Sequence, residues 1–210
     1  MSTLVLVGAT GLVGRSALEQ ALTDPRITRV VAPTRQPLEP HTKLDNPLVS
    51  FDRLPDDAPW WKTDAVVCTL GTTIRKAGSQ EAFRRVDHDY VLAVAKLARA
   101  RGARAFALNS AMGANPRSRI FYSRTKGEIE DALRRCGFPS LTIVRPSLIG
   151  GARGEFRLAE YLAIRIVRAA GPLVPRRYRV VPNAAVAKAL LDGAVTAPPG
   201  EHIIESDALV

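Results

Sequence analysis

At 210 residues, with 46% hydrophobic and 24% charged residues, the chain has the make-up of a globular protein with one sizeable core, and nothing forces a second independent domain. Its formal charge of +10 comes from basic residues spread along the chain, with small clusters at Arg99 to Arg104, Arg117 to Arg124 and Arg176 to Arg179 and no aromatic-studded strand, which argues against a nucleic-acid partner and for an acidic small molecule. Cys68, Cys136 and the three histidines are too scattered to ligate a metal, no run reaches membrane-span length, and Met1-Ser2-Thr3 leads straight into a strand, so a cytoplasmic protein without membrane attachment is expected.

The first strand-like run, Thr3 to Val7, ends in Gly8-Ala9-Thr10-Gly11-Leu12-Val13-Gly14, and an apolar helical pattern from Leu12 to Leu22 follows at once. Gly8 lets the chain turn sharply, Gly11 removes a side chain where backbone must approach a pyrophosphate, and Gly14 lets the helix pack close on the strand. The helix start then offers N–H groups and a positive dipole end to phosphates. Further strands are expected at Arg29 to Ala32, Leu48 to Phe51, Ala65 to Leu70, Arg104 to Leu108 and Leu141 to Val144. Helices are expected over Val86 to Arg101, ended by Gly102, and over Tyr122 to Arg135, ended by Gly137 and Pro139. The stretch Pro33 to Pro59, with six prolines, reads as a surface loop.

This alternation predicts an α/β fold with a doubly wound parallel sheet of about six or seven strands. Beyond Gly151 come an amphipathic helix at 155–170 with the readings of active-site cap, homodimer face and, last, membrane attachment, a breaker segment from Gly171 to Pro175, a helix from Ala184 to Ala194 and a last strand from His202 to Glu205. The expected organisation is one domain over 1–210, with a dinucleotide-binding core over 1–150 and a small cap with the last strand over 151–210.

Tyr122 and Lys126 are four positions apart at a helix start, so they share a face one turn apart. An ammonium beside a phenol favours the phenolate, which suits a general acid/base at neutral pH, and the same lysine can hold a ribose hydroxyl. Ser110 stands at the end of a strand, where open α/β sheets place ligands, and its hydroxyl can orient a substrate carbonyl. Where a dinucleotide site for the unphosphorylated ribose would carry an acid after the second strand, this chain has Ala32-Pro33-Thr34-Arg35, and Arg35 suits a 2′-phosphate, with Arg15 as an assistant. Cys68 lies in an apolar run and reads as an inert buried thiol. Trp60 and Trp61 read as packing a loop onto the core, and Asp87, His88 and Asp89 as a solvated or packing face.

Over nearly its whole length the chain resembles the short-chain dehydrogenase/reductase superfamily, and within it the atypical branch that contains the Tat-interacting protein and bacterial relatives. The resemblance rests on Gly8 to Gly14, Leu70-Gly71-Thr72-Thr73, Lys76 to Ser79 with Glu81-Ala82-Phe83, Val86-Asp87, Tyr122 to Lys126, Arg145-Pro146-Ser147 and Glu205-Ser206-Asp207. It implies a Rossmann fold, NADP(H) as cofactor, and Ser110, Tyr122 and Lys126 in the superfamily's catalytic roles. It implies cofactor contacts from Gly8, Thr10, Gly11, Leu12, Val13 and Gly14, with Asp52 and Arg53 near the adenine. Cys68, Gly71 and Thr72 would lie near the pyrophosphate and ribose, and Pro146, Ser147 and Leu148 over the nicotinamide. Relatives often carry an acid where Ala185 stands, so no role is imported for that helix start.

The leading expectation is an NADPH-dependent oxidoreductase that reduces a small carbonyl compound. A cofactor-sensing scaffold without turnover stands second, because little chain is left for a selective pocket. A nucleotide-sugar epimerase or dehydratase ranks last, since it demands a larger C-terminal region.

Overall fold

The computed structural model describes residues 2–150 and 175–210. In chain order the strands are β1 (Ser2–Val7), β2 (Ile27–Val31), β3 (Leu44–Asp45), β4 (Ala65–Cys68), β5 (Ala105–Asn109), β6 (Ser140–Arg145), β7 (Ile149–Gly150), β8 (Val181–Pro182) and β9 (Gly200–Glu205). Seven of them form one sheet in the order β3-β2-β1-β4-β5-β6-β9, and every neighbouring pair in it is parallel. The remaining two, β7 and β8, pair with each other. The winding direction reverses between β1 and β4, and sheets of this topology take their ligands in the crevice outside the C-terminal ends of the strands at that point.

The central strands are apolar on both faces, as a sheet covered on both sides requires. Leu4 and Leu6 of β1 face one core with Ala65, Val67, Ala105 and Ala107, covered by α1 (Leu12–Thr23) and by a C-terminal helix. Val5 and Val7 face the other with Val66, Cys68, Phe106 and Leu108, covered by helices from the middle of the chain. Those helices are, in order, the short α2 (Ile74–Ala77) and α3 (Gln80–Arg84), then α4 (Tyr90–Ala100) and α5 (Phe121–Arg135). The C-terminal helix, α6 (Asn183–Thr196), lies on the sheet beside α1, with Val186, Ala187, Leu190 and Leu191 buried in the shared core. The helix expected over 155–170 and the breaker at 171–174 lie outside the described residues.

The third strand falls at Leu44–Asp45, not at Leu48 to Phe51. Asn46 interrupts the ladder: its amide donates to the Ala32 carbonyl at 2.6 Å and to Thr34 Oγ1 at 2.8 Å, and Pro47 has no N–H to continue it. Beyond it, Leu48 keeps a single bridge to Thr34. The loop that follows is anchored as expected, with Trp61 fully buried and its indole donating to the Pro55 carbonyl at 2.6 Å.

The long helix expected from Val86 begins differently. Arg85–Asp89 forms a π turn before α4, and α2 and α3, capped by the Thr73 and Ser79 hydroxyls, precede it. Helices of four and five residues carry too few turns to show a period in sequence, so their caps are their only signature. The π turn brings Asp87 inside.

Candidate active site

Gly8 leaves β1 with φ +86°, a left-handed conformation that a side chain would strain. A Cβ placed on Gly14 would come within 2.0 Å of the Gly8 carbonyl oxygen, so α1 sits as close to the turn as backbone permits. The Gly11 N–H donates to that same oxygen at 2.9 Å, and Gly11 is the N-cap of α1. Among the described residues no side chain caps this helix and no acid stands in its first turn, so its positive end can take an anion at the surface where Thr10 and Gly11 are exposed, with Leu12 half-buried and Val13 and Gly14 behind them. A pyrophosphate fits this turn.

Arg35 is exposed just past β2. Nearby, Asp52 accepts the Tyr90 hydroxyl at 2.5 Å, and the Tyr90 ring packs on Phe51 with centroids 5.8 Å apart. Burial and the Asp52 carboxylate raise the Tyr90 phenol above its ordinary pKa, against the fields of Arg85 and Arg35, which places Arg35, Asp52 and Tyr90 in one neighbourhood. Arg53 is exposed beside Asp52. Arg15 is turned back on the glycine turn, its Nε donating to the Thr10 carbonyl at 3.1 Å.

Cys68 has no exposed surface, and burial pushes its thiol up to about 12, so it is inert at neutral pH. Past it, Gly71 is exposed and Thr72 half-buried at the mouth of the crevice. On the far side, Pro146 is buried and Leu148 exposed, while the Ser147 hydroxyl donates to the Arg179 carbonyl at 2.6 Å and accepts from Ser206 at 2.8 Å.

Ser110 follows β5 and its N–H bonds the Val144 carbonyl at 2.8 Å. Its hydroxyl lies 2.5 Å from Glu130 Oε1. Glu130 is fully buried, and Arg145 donates to both of its oxygens, at 2.6 and 3.1 Å, before reaching on to Glu205 at 2.9 Å. A carboxylate held this way only accepts, so the Ser110 proton goes to Glu130 and the serine oxygen keeps its lone pairs for the site. Glu130→Ala would strand Ser110 and half of the Arg145 guanidinium. We expect it to lower unfolding free energy by about 3 kcal/mol in urea denaturation, the low end for a broken buried pair because Glu205 remains.

Tyr122 is 37% exposed in the first turn of α5, its ring 5.6 Å from that of Phe83. One turn on, Lys126 is buried with its ammonium 2.7 Å from Asp87 Oδ1. The other Asp87 oxygen accepts the Thr72 N–H at 2.8 Å. Burial opposes the lysine charge, yet Asp87 first and Tyr122 next outweigh it and hold the Lys126 pKa above its ordinary value. Of the two readings expected of Asp87, the solvated face does not hold: it is a buried carboxylate beside Lys126, on the π turn. Glu130, bonded to Ser110, is not singled out by the sequence, although its spacing repeats that of Tyr122 and Lys126 and puts all three on one stripe of α5.

A parallel sheet in this order, a glycine turn opening an uncapped helix behind β1, and a Tyr/Lys pair on the helix after β5 define the NAD(P)-binding Rossmann fold of the short-chain dehydrogenase/reductase type. The chain is 32% identical to Protein HTATIP2 of Rattus norvegicus over 99% of this chain and 88% of that protein. It is 34% identical to Protein fmp52, mitochondrial, of Emericella nidulans over 78% of this chain and 73% of that one. It belongs to the family of these proteins, the Tat-interacting-protein-like branch of the atypical short-chain dehydrogenase/reductases. Among solved structures, MoeE5 in complex with UDP-glucose and NAD matches with TM-score 0.74 at 16% identity, over 96% of this chain and 74% of that one. The Bordetella bronchiseptica enzyme WbmH in complex with NAD+ matches with TM-score 0.70 at 16% identity, over 98% and 76%. At these identities the likeness is one of fold. No family model matches the chain, and among the described residues no helix is long and apolar enough to cross a membrane.

Proposed function

We propose that the protein is an NADPH-dependent oxidoreductase that reduces a small carbonyl compound. The observation that carries this reading is the stripe on α5: a half-exposed Tyr122 one turn before a buried, charge-held Lys126, with Glu130 on the next turn holding Ser110. When bound, the nicotinamide supplies the hydride. Tyr122 gives its proton to the carbonyl oxygen, with the Lys126 cation one turn on along the same face of α5. Ser110 orients the substrate oxygen. Toward a product hydroxyl its free lone pairs accept at once, whereas toward a carbonyl its proton must first turn from Glu130.

Preference for the phosphorylated cofactor rests on the end of β2. Ala32 is buried where an acid would accept the ribose hydroxyls, and Arg35 is exposed three residues on. Arg35→Ala should weaken NADPH about tenfold or more while leaving NADH unchanged, because a charge-assisted contact to a phosphate is worth roughly 1.5–3 kcal/mol. Calorimetric titration with the two cofactors checks this.

The test of the reaction is NADPH consumption against aldehydes, ketones and quinones. Turnover that needs Tyr122 supports the reductase; tight NADPH binding with no turnover across the panel favours a cofactor-sensing protein. We assign the chain to the cytoplasm, and cell fractionation that recovers it with mitochondria, as the fungal relatives' names would suggest, reverses that assignment.

A further inference from the structure

We propose that the substrate is amphipathic, a carbonyl compound with an apolar chain and an anionic end, received between exposed Ile74, Ile120 and Leu148 with Arg75 and Arg119 taking the anion, a substrate class that rests on the reductase reading above.

All neighbouring strands of the sheet are parallel, so the segments that leave their carboxyl ends lie at one edge. Ile74 opens α2 six residues after β4, Ile120 is the N-cap of α5 two residues before Tyr122, and Leu148 stands three residues after β6. These segments are joined around the site. The Thr72 N–H and the Lys126 ammonium meet on Asp87, Phe83 packs on the rings of Phe121 and Tyr122 at 5.8 and 5.6 Å, and the Met112 N–H donates to the Pro146 carbonyl at 2.9 Å.

A lone exposed aliphatic side chain is ordinary, whereas several around one opening mark a surface that takes an apolar ligand. Ile120 is 68% exposed, Leu148 40% and Ile74 37%. Ile120 is also held in place. Its loop is clamped to α5 by the Asn115 N–H on the Ser123 carbonyl and by Arg124 Nη1 on the Ser118 carbonyl, each at 3.0 Å. Gly127 lets the loop and the helix touch, since a Cβ there would stand 2.2 Å from the Pro116 nitrogen. A side chain held out in water by a fixed loop adds little to the core and leaves its apolar surface for a ligand.

Cations flank two of these side chains. Arg75 and Lys76 follow Ile74, and Arg117 and Arg119 precede Ile120, all exposed and without an ion pair among the described residues. Asp87, Glu128 and Glu205 are already engaged, by Lys126, Arg84 and Arg145. On the side of Leu148, Arg176 and Arg177 share a hollow with Asp207, which offsets part of their charge. Unmatched cations around an opening raise the local concentration of anions, and the apolar side chains between them suit a chain behind the anion. Three segments grouped around Tyr122, in place of one flat face, favour a small molecule over a membrane surface.

The experiment is calorimetric titration of the protein, with and without NADPH, with octanoate, octanamide and butanoate, none of which it can reduce, at about 0.02 M and about 0.5 M salt. Octanoate should bind about fivefold tighter than octanamide at low salt, an advantage that shrinks at high salt, and about tenfold tighter than butanoate at either. Arg75→Gln/Arg119→Gln should bring octanoate to the level of octanamide and leave octanamide unchanged. Lys62→Gln/Arg104→Gln removes the same net charge from exposed positions before β4 and β5, at the opposite edge, and should change neither. Ile120→Ser should weaken octanoate and octanamide alike. Octanoate that binds no tighter than octanamide or butanoate, or equal effects of the two charge-removing pairs, overturns the proposal. So does capture of the protein by phosphatidylserine vesicles without octanoate binding, which marks a membrane surface. Turnover of 8-oxooctanoate is measured beside binding: octanoate binding without turnover of any carbonyl compound removes the reductase reading and leaves the amphipathic mouth standing, whereas turnover of octanal and 8-oxooctanoate at equal kcat/KM does the reverse.

Discussion

Tyr122→Phe lowers turnover of NADPH with a carbonyl substrate by roughly 10²–10⁴-fold, the range for removing a positioned general acid, while NADPH affinity changes by less than about threefold. The substitution deletes one oxygen from a side chain that is 37% exposed and leaves the ring to pack on Phe83. Stability should therefore stay within about 0.5 kcal/mol of wild type, as for surface substitutions generally. Lys126 remains in place because Asp87, not the phenol, makes the ion pair with it. The combination of lost kcat, retained Kd and retained unfolding midpoint is specific to a proton donor. Steady-state kinetics beside calorimetry measure all three, and a Tyr122→Phe variant that turns over at the wild-type rate would remove Tyr122 from the mechanism.

Gly14→Ala should be among the costliest single methyl groups that can be added at the glycine turn. The new Cβ would lie 2.0 Å from the Gly8 carbonyl oxygen and 2.7 Å from Thr69 Oγ1. The first of these atoms is backbone and the second is a hydroxyl already bonded to the Val7 carbonyl, so neither can swing aside. Relief requires α1 to lift from β1, which opens the core that Val13 and Ala17 share with Leu4 and Leu6. Overpacking costs about 1–3 kcal/mol where neighbours can give, and here we expect about 3 kcal/mol or more, together with loss of measurable NADPH binding, because the helix start moves away from the pyrophosphate. Glu19→Ala, on the exposed side of the same helix, is the control and should change neither stability nor binding. Urea denaturation with NADPH titration on the three proteins checks the pair.

The parts of the fold that are legible in the sequence are those where a local pattern and the tertiary structure ask for the same residues. β1, the glycine turn and α1 are legible because burial on both faces, the tight turn and the helix seam each restrict residue type over a few consecutive positions. The third strand is misplaced in sequence because β-branched Val49 looks like a ladder residue, while the interruption depends on where the Asn46 amide reaches, and that is a tertiary fact. The placement of Tyr122 and Lys126 one turn apart on α5, and of Ser110 just past β5, is legible from helical spacing and from a strand end. Asp87 is visible in the sequence only as part of a resemblance, and its burial against Lys126 is not, since it lies on a π turn that helical spacing does not announce. The Glu130–Arg145–Glu205 chain joins α5 and the next strand, β6, to the distant β9, and no local pattern announces it; the four-residue step from Lys126 to Glu130 is a visible trace.

The central claim is that the crevice at the ends of β1 and β4 holds a phosphorylated nicotinamide dinucleotide. It is tested most directly by titrating the purified protein with NADPH and with NADH under identical conditions. Saturable binding of NADPH at least about tenfold tighter than NADH is expected, an advantage that Arg35→Ala abolishes. Failure to bind either cofactor, or equal binding of both, would contradict it.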